Sequence, residues 1–192
     1  LAALVLAAVC CGIYPLIVFG LAQALFPGKA NGSLLVDAGG NVRGSHLIGQ
    51  PFNDERHFHS RPSAAGCGYD ATSSGGRNLG PTSEKLRDSI AQDLAACRAE
   101  NSLAANALVP ADAVTASASG LDPHISPRNA EMQAARVAKA RGLAVARVLD
   151  VVRQHTDPPD LGCLGEPRVN VLEVNLALEG LHECRGRTAT QP

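Results

Sequence analysis

Tryptophan is absent, only two tyrosines and four phenylalanines occur, and the formal net charge is −1. The chain therefore lacks both the stacking side chains and the basic field that nucleic-acid binding needs. Charge is also missing from the whole N-terminus. The first charged side chain is Lys29, so all 17 Lys plus Arg and 18 Asp plus Glu lie at or beyond that position. No cysteine pair has the C-x-x-C spacing, and no internal repeat or heptad pattern is found.

What fills the first 26 positions is an almost wholly apolar run in which Gln23 is the only strongly polar side chain. A run longer than about 18 such residues reads as a transmembrane helix. A cleaved signal peptide is the competing reading, because Ala22-Gln23-Ala24 resembles a small-x-small cleavage site. The run exceeds the roughly 7 to 15 residues of a signal core and no charged residue precedes it, which favours a retained anchor. Pro15 interrupts the run, and membrane helices tolerate proline where neighbouring groups satisfy the freed carbonyl. Leu1 is not a start methionine, so residues before it are expected, and charge does not assign the orientation.

The remainder of the 192 residues has the composition of a single soluble domain, which we place at 27–179 with a frayed tail at 180–192. Residues 33–37 and 42–48 read as a β-hairpin turned by Ala38-Gly39-Gly40-Asn41. The stretch 52–82 has no apolar period and is rich in Gly, Ser, Asn and Pro, a long loop of the kind that is usually functional or disordered. Leu86, Ile90, Leu94 and Cys97 share one face of a helix that begins at Ser83 and ends near Asn101. Ser126 as N-cap and Pro127 at the first turn open a second helix that Gly142 stops. A third runs over 143–155 until Asp157-Pro158-Pro159 breaks it. The alternation from Val169 to Leu178 reads as a strand with one apolar face. The fold class is therefore one N-terminal transmembrane helix plus a mixed α/β soluble domain. Its four cysteines, Cys67, Cys97, Cys163 and Cys184, allow three disulfide connectivities in an oxidising compartment or free buried thiols, the reading that this domain size favours.

Three constellations invite chemistry. Gly75-Gly76-Arg77-Asn78-Leu79-Gly80-Pro81-Thr82 mimics a phosphate-binding loop but carries Pro81 where that loop needs Lys, so it reads as a turn leading into the Ser83 helix. His57-x-His59 puts two imidazoles on one face of an extended segment with Cys67 as a third donor, yet further ligands at diagnostic spacing are missing, and no metal is assigned. Ser119, Gly120, Asp122 and His124 lie within six residues, but Asp122-Pro123-His124 suits a turn into the following helix better than a catalytic triad. They form a ligand or partner loop, and no catalytic residue is assigned. Phe52, Arg56, Phe58, His59 and Arg61 combine aromatics and arginines in an aperiodic segment, a composition enriched at protein interfaces, so they are expected to contact a partner.

Several short words occur in a fixed order: Tyr14-Pro15-Leu16, Phe26-Pro27, Asn31-Gly32-Ser33-Leu34, Leu47-Ile48-Gly49-Gln50, Arg61-Pro62-Ser63-Ala64, Asn78-Leu79-Gly80-Pro81-Thr82, Ser119 through Asp122-Pro123-His124 to Ser126, and Gly165-Glu166-Pro167-Arg168-Val169-Asn170. With these the chain resembles the C subunit family of the bacterial high-affinity potassium-transporting P-type ATPase, the Kdp system. The family commonly has Tyr at the position of His57 and often Gly at Ser60, and the tail beyond Leu178 is outside its pattern. The resemblance implies an accessory, non-catalytic subunit with one membrane helix in the bacterial inner membrane. It implies three protein partners, a channel-like potassium-translocating subunit, an ATP-hydrolysing subunit and a small single-helix subunit, besides membrane lipid. Potassium is then the transported ion of the complex, no cofactor is held tightly, and ATP is met only through the hydrolysing subunit. Two roles follow from the family. One is an extracytoplasmic domain that assembles and stabilises the channel-like and hydrolysing subunits. The other is a catalytic chaperone that raises ATP affinity through a transient ternary complex.

Overall fold

The computed structural model describes residues 1–37 and 39–188, with the side chains of 181–188 outside the description. The chain divides into two compact units, Leu1–Leu47 and Ile48–Pro192.

In the first unit a single helix, α1 (Ala2–Leu25), has no buried residue and is long and apolar enough to cross a membrane. At 24 residues its length is about 36 Å, against a hydrocarbon core of about 30 Å. Its turn Val9–Ile13 is π-helical, with Tyr14 N–H donating to Val9 O. The wider turn lies just before Pro15, which has no N–H to donate. A short helix, α2 (Pro27–Ala30), follows. Strands β1 (Leu34–Val36) and β2 (Val42–Ser45) then form the expected antiparallel hairpin, with a bulge between Leu35 and Val36. Asp37 organises its turn by accepting from the N–H groups of Gly39 and Asn41, both at 2.9 Å. Ala38, assigned to that turn from sequence, lies outside the described residues.

The second unit is built from α3 (Glu84–Glu100), β3 (His124–Ile125), α4 (Pro127–Arg141), α5 (Val145–Gln154), β4 (Thr156–Asp157), β5 (Arg168–Asn170) and α6 (Val171–Thr188). The strands form a small antiparallel sheet in the order β3-β5-β4, with Ile125 opposite Val169 and Thr156 opposite the same residue. Helices α4 and α6 pack against β5, and α5 packs on both of these helices. Their apolar faces supply the core: Ala130, Ala134 and Val137 from α4, Val148, Val151 and Val152 from α5, and Val171, Val174 and Leu178 from α6. The N-cap reading of α4 is borne out, since Ser126 Oγ accepts from Asn129 N–H at 3.2 Å and Gly142 ends the helix at φ +64°. On α3 the predicted face of Leu86, Ile90, Leu94 and Cys97 is the half-buried one.

One element differs in kind. The strand expected over 169–178 ends at Asn170, and the chain continues as α6 from Val171 through Thr188. Val174 and Leu178 fit a helical stripe as well as an alternation, whereas Val171 joins them on one face only in a helix. Asn170 decides between them by accepting from Glu173 N–H at 3.3 Å, the geometry of a helix N-cap. Positions 180–188, assigned to a frayed tail, continue this helix, and 189–192 lie outside the described residues. The thiols also depart from expectation. Among the described residues Cys67, Cys97 and Cys163 are free, but Cys67 and Cys163 are exposed and only Cys97 is half-buried; the Cys184 side chain lies outside the description.

Candidate functional site

The segment 52–69 has no regular structure, yet its backbone at residues 55–59 is held residue by residue. Asn175 of α6 accepts from Phe58 N–H at 2.8 Å and returns its amide N–H to Phe58 O at 3.0 Å. Gln133 of α4 does the same for His59, at 2.8 and 3.1 Å. The Arg136 guanidinium donates to Glu55 O at 2.8 Å and His57 O at 3.1 Å, and Arg141 donates to Arg56 O. Four side chains thus replace the ladder that a strand would have provided. All four are buried, and a buried polar group persists only when it is paired. Nothing in the spacing of the sequence singles them out as partners of this segment. Their signal was Gln133, Arg136 and Asn175 standing on the same helical faces as Ala134, Val137 and Val174.

This arrangement corrects part of the partner-surface expectation. Phe58 is 1% exposed and belongs to the core, so it serves the fold. A single phenylalanine gained more by filling the sheet–helix interior than by waiting on the surface. Phe52 is half-buried against that core, its ring 5.5 Å from the His57 ring. Arg61 is engaged internally, with NH1 2.9 Å from Asp122 Oδ2 and Nε and NH2 each 3.4 Å from Thr115 O. Tyr69 donates its hydroxyl to Arg61 O. Arg56 alone of the five has an exposed side chain.

The histidines turn to different carboxylates. His57 Nε2 lies 3.2 Å from Glu179 Oε1, while His59 Nδ1 lies 2.6 Å from Glu100 Oε1 and its Nε2 lies 3.0 Å from Asp54 O. His59, Arg61, Tyr69, Cys67, Asp93 and Glu100 border a cavity of about 400 Å³ between the segment and helices α3 and α4. The hydrogen bond from His59 holds the Glu100 carboxyl below the ordinary glutamate value of 4.5, and the charges of His59 and Arg136 add to it. A depressed carboxyl stabilises the fold fully above its unfolded pKa and stops doing so as pH falls through the folded one. The full chain is therefore expected to lose stability as the pH drops below about 4.5, and Glu100→Gln to flatten that acid limb in melting curves recorded from pH 7 to pH 3. An unchanged limb would remove Glu100 from the account.

The loop of Ser119, Gly120, Asp122 and His124 is also occupied by its own chain. Ser119 Oγ accepts from Leu121 N–H at 3.1 Å. Asp122 accepts from His124 N–H at 3.0 Å and lies 3.5 Å from His124 Nδ1. Burial alone would raise the Asp122 carboxyl, but the hydrogen bonds from His124 and Arg61 outweigh it and hold the group low. Gly120 sits at φ +69°, where a Cβ would stand 2.7 Å from Ala65 N and Cβ. The phosphate-loop mimic runs beside this loop, with Gly75 N–H donating to Ser119 O at 3.0 Å. Each of the three constellations therefore ties distant stretches of one unit together.

The sequence model of the family described as "KdpC: K+-transporting ATPase, c chain" matches residues 1–180. The chain belongs to the KdpC family. A potassium-transporting ATPase KdpC subunit of Myxococcus xanthus is 60% identical over 167 residues, covering 87% of this chain and 79% of the relative. The KdpC subunit of Nitratidesulfovibrio vulgaris (strain DSM 19637 / Miyazaki F) is 58% identical over 180 residues, 93% and 90% of the two chains. That of Mycobacterium bovis (strain BCG / Pasteur 1173P2) is 53% identical over 169 residues, 88% and 89%. The KdpC match spans α1, the hairpin, the braced segment and the start of α6.

Proposed function

We propose that the chain is an accessory, non-catalytic subunit of an ATP-driven potassium uptake complex in the bacterial inner membrane. In this reading α1 is its single span. The unit from Ile48 onward lies on the extracytoplasmic side, where it assembles and stabilises the channel-like and ATP-hydrolysing subunits, with the small single-helix subunit as a further partner. The observation that carries it is how the candidate side chains are used. His59, Arg61, Asp122 and Gln133 bond to their own chain, the pattern of a scaffold rather than of a reaction centre. The anchor supports it too, since α1 buries none of its residues in its own unit. A nucleotide-binding role is less favoured, because the 75–82 segment has Pro81 in place of the phosphate-binding Lys and gives its Gly75 N–H to Ser119.

The test is copurification. The full chain, tagged and expressed together with the other three subunits, should bring them down from detergent-solubilised membranes and should bind no ATP by itself. Recovery of the chain alone, or calorimetric ATP binding to the isolated chain, would replace this reading.

A further inference from the structure

The segment between β4 and β5 is built differently from the rest of the second unit. Residues 160–167 are exposed without interruption, although they include Leu161, Cys163 and Leu164. Leu161 is 90% exposed and Leu164 57%. The segment is nonetheless tightly closed. Asp160 and Leu164 exchange backbone hydrogen bonds at 2.8 and 2.9 Å, and Gly162 N–H donates to Pro159 O at 3.0 Å. Pro158 and Pro159 lead in and Pro167 leads out, each with a fixed φ. Arg168 ties the base by lying 3.8 Å from Asp157 and 3.4 Å from Asp160. At the tip Leu161 holds φ +54°, a region that leucine rarely adopts. An exposed leucine held in a strained turn gives the isolated fold nothing, and such strain persists where it serves an interaction.

We propose that this finger is the docking element of the chain, and that Leu161 enters an apolar pocket on another protein subunit. The inference rests on the subunit reading above and adds the contact surface to it. The chemistry selects a protein over a lipid surface. The exposed segment carries two carboxylates, Asp160 and Glu166, and no lysine or arginine. An anionic membrane surface repels that pattern and attracts basic ones. A protein pocket with a basic rim fits it, because an apolar centre framed by complementary charge is the usual anatomy of an interface. The closed turn and its prolines set the finger in place beforehand, which lowers the ordering cost of binding.

Leu161→Gly tests it in the full chain coexpressed with the other subunits. Glycine adopts φ +54° without strain, so the melting temperature of the purified variant should equal or exceed that of the wild type. Copurification of the partner subunits should fall about tenfold, the change expected on losing one buried leucine side chain. A second arm replaces Leu161 with the photo-crosslinker benzoylphenylalanine, which should form an adduct with another subunit of the ATPase. Normal assembly of the glycine variant, a lowered melting temperature, or adducts confined to lipid or to a second copy of this chain would overturn the docking role. A wild-type chain that assembles with nothing would overturn the subunit reading itself, and the finger with it.

Discussion

Replacing Phe58 with alanine should lower the stability of the full chain by about 3–5 kcal/mol, the usual cost of deleting a buried phenylalanine. Among the described residues the ring is the largest side chain fully buried, and it belongs to the cluster of Ile125, Val137, Val148 and Val169. Its removal leaves a cavity in this cluster, and the pinned backbone beside it cannot close it. Phe58 N–H and O are fixed to Asn175 and the His59 backbone to Gln133, so the segment stays in register while the space beside it empties. The loss is a large share of the 5–15 kcal/mol that typical domains possess, and it corresponds to a fall in melting temperature of roughly 10 °C. Phe58→Leu should recover about half. A melting curve unchanged by Phe58→Ala would show that the ring does not support the fold, and would return it to the surface role that composition first suggested.

The second large effect is expected at Arg136. Its guanidinium donates to Asn101 Oδ1, Glu55 O, His57 O and Gln133 Oε1 at 2.8–3.1 Å. Its Nε also lies 3.5 Å from Glu100. Burial works against its charge, and the Glu100 carboxylate beside it works in favour. Arg136→Met keeps most of the volume but leaves two backbone carbonyls and a glutamine oxygen short of a donor, so we expect a loss of about 3 kcal/mol. The damage should be local before it is global. Hydrogen exchange should quicken first at residues 55–59, whose carbonyls lose their donor, and last in α5. Arg136→Lys should restore little, because one ammonium cannot reach donors spread over a planar fork. Uniform acceleration across the unit would refute the view of Arg136 as a brace for one segment.

These braces mark where a sequence stops being legible. Helices α3, α4 and α5 could be read because each combines a 3.6-residue stripe with a local stop, Asn101, Gly142 or the Asp157-Pro158-Pro159 break. The hairpin could be read from its glycine turn. By contrast, 169–178 satisfied two periods at once, and only the Asn170 cap, an N-x-x-E pattern ending at Glu173, separates them. Residues 55–59 had no period because the side chains that hold their backbone are 74 to 117 residues away, a separation that leaves no local trace. The aromatic and arginine content of the segment 52–69 suggested a partner surface; Phe58 and Arg61 are instead engaged by the chain itself. The exposed finger was hidden for the opposite reason. Leu161 and Leu164 look like ordinary apolar residues in a proline-rich break, and only the fold shows them 90% and 57% exposed.

The measurement that bears most directly on the subunit account is potassium-stimulated ATP hydrolysis by the purified assembly, prepared with and without this chain. The account predicts no turnover by the chain alone, strong stimulation when all four subunits are present, and loss of most of that stimulation when this chain is omitted. Hydrolysis by the isolated chain, or full stimulation without it, would contradict the account.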